Sequence, residues 1–173
     1  MPTIMCTRNL WRAIGGRTAL PARTERHIRG TKLGAWSARE LPTRVGHLVV
    51  GVEEHTYLTV LCPLLPQPEF IHAFAASVEA AFGALGLPVR IAQRETQAIV
   101  KEGVFAKNDN RSLLGSVNDV AFHASVLLED ERHITFETLH RIQMELNQMP
   151  HVHREPPFPD QAVRSLFGEA HVA

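Results

Sequence analysis

The chain is short of several residue types, and each shortage closes off a class of protein. Cysteine occurs only at Cys6 and Cys62. Two thiols cannot make a disulfide framework. Both lie among strand-forming residues and are expected to be buried free thiols, with no activating partner nearby in sequence. Aromatic residues are only 6% of the chain. Trp11, Trp36 and Tyr57 are too scattered for a base-stacking platform, and Trp36 beside Leu33 is expected to anchor its segment onto the core. Excess charge is missing as well: 18 Lys and Arg balance 18 Asp and Glu. That excludes a generalised nucleic-acid binder, although residues 1–44 are locally rich in Arg and Lys and leave room for a basic face. No run reaches the ~18 apolar residues of a membrane span. The first residues also lack an apolar stretch followed by a small-residue cleavage site. The expectation is therefore a cytoplasmic protein with no membrane association.

What is present suits one domain with a real core. The chain has 173 residues, 45% hydrophobic and 21% charged. The expected division is a single α+β domain over residues 1–150 and a Pro-rich tail over 151–173 with a short helix from about Asp160. Residues 3–6 read as a strand, and Thr7 as the cap of a short helix ending at Gly15-Gly16. Residues 17–31 have no periodicity and read as a loop. The clearest β signal is a hairpin over 47–62, HLVVGV and YLTVLC joined by EEHT, with residues 32–42 as its lead-in.

Helices follow. Ile71, Phe74, Val78, Phe82 and Leu85 keep the helical period over 69–85, with Gly86 and Pro88 as stops. A more polar helix is expected over 89–102 and another over 135–149. Residues 104–106 read as a short strand added to the hairpin. Ser116, with Asp119 three positions on, reads as the N-cap of a helix that follows a polar loop. The sum is a small antiparallel or mixed sheet with helices over one face.

That loop is the first candidate site. Lys107, Asn108, Asn110, Arg111, Ser112, Asn118 and Asp119 crowd around an expected helix start, where free N–H groups and partial positive charge can hold an anion. Lys107 and Arg111 add charge, and the asparagines add amide donors. A P-loop spacing is absent. Asn, Asp and Ser also bond their own backbone in loops and caps, and that explains most of these residues. Ten histidines are present, and His133, Glu137 and His140 have helical spacing. No H-E-x-x-H occurs, and neither a metal nor another cofactor is expected. His123 reads as a boundary residue. A G-x-S-x-G elbow is missing too.

The segment N-R-S-L-L-G-S-V-N-D-V-A-F at 110–122 resembles a family of small bacterial proteins classed only as a domain of unknown function. In that family the segment reads N-R-S-[VL]-L-G-S-[ML]-N-D-[FM]-A-F. The family's opening C-T-[KR]-[KR]-L is similar to C-T-R-N-L at 6–10, and its W-x-A-[NR]-x-L block to W-S-A-R-E-L within 32–41. Val117 and Val120 stand where bulkier residues are usual. The resemblance implies an independently folding domain and carries over no activity. Without a complete catalytic set, the favoured function is a non-enzymatic interaction module whose polar loop and basic N-terminal region meet a protein partner. An anionic ligand or nucleic acid is the other kind of partner. The alternative is an enzyme on a phosphate-bearing substrate, with Lys107 and Arg111 on the anion and Asp119 as base.

Overall fold

The computed structural model describes residues 2–23, 31–152 and 154–168. Part of the expected 17–31 loop, His153 and the last five residues lie outside them. A five-stranded sheet carries the architecture, in the order β4-β3-β2-β1-β5. The strands are β1 (Thr3–Cys6), β2 (Trp36–Thr43), β3 (Gly46–Glu53), β4 (Thr59–Pro63) and β5 (Val104–Lys107). β2, β3 and β4 form an antiparallel meander, while β1 runs parallel to both β2 and β5. The sheet is mixed and the domain is α+β.

Helices fill both faces, which corrects the expectation of one covered face. Alternation along the strands explains it: Ile4 and Cys6 face one core, and Met5 faces the other. In the same way Val49 and Val60 point one way, and Val50 and Leu61 the other. The first face takes α1 (Arg8–Ala13), α2 (Glu69–Ala84), α3 (Val89–Glu102) and α6 (Pro159–Gly168). Trp36 meets Phe74 edge-on at 5.2 Å, and Phe82 meets Phe167 of α6 at 5.3 Å. Each such buried side chain contributes about 1.5–3 kcal/mol by leaving water. The second face takes α4 (Arg111–Leu127) and α5 (Phe136–Asn147).

Three local expectations need correction. β2 is a full eight-residue strand rather than a lead-in, paired along its length with β3 from Trp36↔Glu53 to Thr43↔Gly46. Ser37, Arg39, Glu40 and Pro42 had broken its apolar pattern. β5 does not extend the hairpin. It pairs with β1 at the far edge, because α2 and α3 carry the chain across the whole first face, as parallel pairing requires. Finally, α4 begins at Arg111 with Asn110 as its cap, so Ser116 lies inside the helix.

The β4 edge is closed without a sixth strand. Asn147 of α5 accepts from the Thr59 amide and donates to the Thr59 carbonyl, both at 2.8 Å. Gln143, one turn earlier, accepts from the Leu61 amide at 2.9 Å. Two buried side-chain amides thus stand in for a neighbouring backbone.

Candidate anion-binding crevice

The topology opens a crevice at one end of the sheet. The chain leaves β1 for α1 on the first face and leaves β5 for α4 on the second. β1 and β5 are parallel neighbours with Cys6 paired to Lys107. Their carboxyl ends therefore diverge, and such a divergence is where open sheets hold ligands. Here it bounds a cavity of about 700 Å³.

Local sequence shapes its wall. Thr7 caps α1 by accepting from the Leu10 amide at 3.2 Å, and its hydroxyl donates to Glu40 at 2.8 Å. Arg8 and Arg12 leave α1 toward solvent on the crevice wall, followed by Arg17. The segment after α1 wraps around Trp11. Its indole N–H donates to the Thr18 carbonyl at 2.7 Å, and its ring covers Gly16, where a Cβ would overlap it. Farther along, the Lys107 amide donates to the Pro21 carbonyl at 2.9 Å, lacing this segment to β5. The result places Arg8, Arg12, Arg17 and Lys107 around one opening.

The floor is polar and poorly satisfied. Asn108 donates its side-chain amide to the buried Ser37 hydroxyl. Its amide oxygen is enclosed with no hydrogen-bond partner among the described residues. An unpaired buried acceptor costs about 1–3 kcal/mol and marks a place where a donor is wanted. Cys6 is also on the wall, but burial, with help from the Glu40 charge, pushes its thiol up to about 12. It stays a neutral thiol at physiological pH and donates weakly to the Ile4 carbonyl.

The seven residues expected to form one site are distributed by the fold. Lys107 and Asn108 line this crevice. Asn110 is the α4 cap, accepting from the Leu113 amide at 3.0 Å. Arg111 is exposed on the first turn. Asn118 accepts from Arg39 of β2 at 2.5 Å. Ser112 and Asp119 line a second cleft, together with Tyr57, His123 and His151. At 100° per residue, the Ser112–Asp119 stripe and Leu114, which borders the crevice, fall on opposite flanks of α4. Spacing along the chain missed Arg8, Trp11, Arg12 and Arg17. The basic bias of residues 1–44 was the one signal pointing at them.

Among the described residues, no three His, Cys, Asp or Glu side chains gather in a way that holds a metal ion. No described helix is long and apolar enough to cross a membrane. A family model described as a domain of unknown function (DUF6933) matches residues 3–162. No curated protein and no solved structure matches the chain.

Proposed function

The chain belongs to the DUF6933 family, and from that premise we propose that it is a non-enzymatic binding module that grips an acidic segment of a partner protein in the β1–β5 crevice. One observation carries this reading: four cationic side chains, Arg8, Arg12, Arg17 and Lys107, ring a single opening. Guanidinium groups suit carboxylates because their planar donors match two oxygens at once. Trp11, Leu20 and Leu114 add apolar surface to the same crevice, which suits a peptide over a bare anion. The thiol on the wall is held protonated, which favours holding over chemistry. An enzyme working across Lys107, Arg111 and Asp119 would need one ligand to reach both flanks of α4.

The test is fluorescence anisotropy with a labelled glutamate-rich peptide, a labelled single-stranded oligonucleotide and inorganic phosphate as competitor. Saturable peptide binding that weakens with salt is expected. The double variant Arg12→Ala/Lys107→Ala should weaken it about tenfold or more, the loss of one charge-assisted bond or more. Binding of the oligonucleotide alone would move the reading to nucleic acid. Peptide binding untouched by the double variant would place the contact elsewhere and end the proposal.

A further inference from the structure

The second cleft, on the other flank of α4, has a different chemistry. It encloses about 450 Å³, a volume suited to a small molecule. Ser112, Ser116, Asp119 and His123 form its α4 wall, one stripe of a single helix face. The opposite wall is Tyr57 with the chain after α5, including His151 and Arg154.

Arg154 is held in place. Its guanidinium carbon sits 4.0 Å from the Tyr57 ring centroid, and Nη2 donates to the Glu54 carbonyl at 3.2 Å. His151 packs edge-on against the same ring at 4.8 Å. Burial first, then the Arg154 charge, holds His151 below the ordinary imidazole range against the pull of Asp119, so it is neutral at physiological pH. Its Nε2 is enclosed without a partner among the described residues. Tyr57 itself has φ +60°, a left-handed conformation that is costly for a bulky side chain. Such strain gathers where a fold holds a residue for a purpose.

The two opposite charges of the cleft do not satisfy each other. Asp119 has no hydrogen-bond or ion-pair partner among the described residues, and Arg154 commits one side-chain donor to a carbonyl. Both charges act on His151, and Val120, Leu146 and Met149 give the same cleft an apolar lining. Phe122 and Val152, at 65% and 80% exposure, add apolar surface to the lining.

We propose that this cleft is a second binding site, for a small zwitterion with an apolar body, of the α-amino-acid class. Its ammonium pairs with Asp119 and the hydroxyl of Ser116, one turn earlier on the same face, and its carboxylate takes the remaining Arg154 donors. Its side chain lies on Val120, Leu146 and Met149. A ligand with both charges bridges two groups that the protein alone leaves apart, and either charge by itself fills half the site.

Isothermal titration with L-methionine and L-phenylalanine tests this. Saturable millimolar or tighter binding of at least one is expected. The corresponding methyl ester and des-amino acid should each bind about tenfold more weakly or worse, each having lost one charged contact. Asp119→Asn and Arg154→Ala should each abolish the preference, with native circular dichroism spectra and cooperative melting to show that the fold survives. Arg12→Ala/Lys107→Ala should leave the titration as it is, which separates this site from the crevice. Silence of both amino acids at millimolar concentration, or binding indifferent to Asp119→Asn and Arg154→Ala, overturns the proposal.

Discussion

Asn110 and Ser116 show how the choice between two capping residues is decided by the turn that follows. Both are good caps by chemistry, and both precede an apolar stretch. Asn110 wins because the turn it opens puts Leu113 and Val117 into the second core, and the exposed Gly115 is tolerated within it. Ser116 then has only a weak bond back to the Ser112 carbonyl at 3.3 Å. Asn110→Ala should therefore cost about 1 kcal/mol in urea unfolding. Ser116→Ala should change stability by less than about 0.5 kcal/mol. The reverse ranking would mean that α4 starts a turn and a half later.

At the scale of elements, the β4–α5 contact carries a separate consequence. An edge strand offers unpaired N–H and C=O groups to any passing chain. Asn147 and Gln143 occupy those of Thr59 and Leu61, and Ser77 of α2 donates to the Leu61 carbonyl at 2.8 Å. Asn147→Leu keeps the size of the side chain and removes both of its bonds to Thr59. It should destabilise by about 1–3 kcal/mol, since buried backbone groups are left unpaired. Concentration-dependent light scattering should rise in the same variant. A monodisperse, fully stable Asn147→Leu protein would show that the edge is protected by something else.

Across the whole molecule, buried carboxylates organise the entry into β2. The amides of Lys32 and Leu33 donate to Glu95, that of Gly34 to Glu53, and that of Ala35 to Glu54. Four successive N–H groups are thus held by three acids, from α3, the end of β3 and the turn after it. Glu54 is also gripped by Arg23 through two bonds, at 2.7 and 2.8 Å. Burial alone would raise its pKa. The Arg23 hydrogen bond, then the Ala35 amide and the charges of Arg23 and His55, outweigh burial and hold it below the usual carboxylate range. Glu95 is displaced the other way, by burial. A depressed folded pKa means that Glu54 adds stability above its unfolded pKa and loses it as pH falls through the folded one. Glu95 has the opposite sign, adding stability at low pH that fades as pH rises through its folded value. Glu54→Gln should accordingly flatten the acid limb of a stability-against-pH curve while Glu95 still acts. An acid limb identical to that of the unaltered protein would remove Glu54 from this role.

What the sequence by itself determined is local. Helical period and stop residues placed α2 and α3 within a residue of their observed ends, and Thr7 is the cap of α1. Side-chain contacts a few positions apart, and caps within one turn, are enough to settle such elements. Tertiary structure decided everything that depends on distant partners. β2 is a strand because β1 and β3 complete its hydrogen bonds on either side, despite its polar residues. β5 joins β1 because two helices span a face. The expected polar loop became a helix start whose flanking residues were sorted into two clefts. Arg8, Arg12 and Arg17 share a crevice with Lys107, and Asp119 shares a cleft with Arg154, only because separate elements converge. Pairings across a sheet are set by the packing of both faces at once, and no window along the chain contains that information.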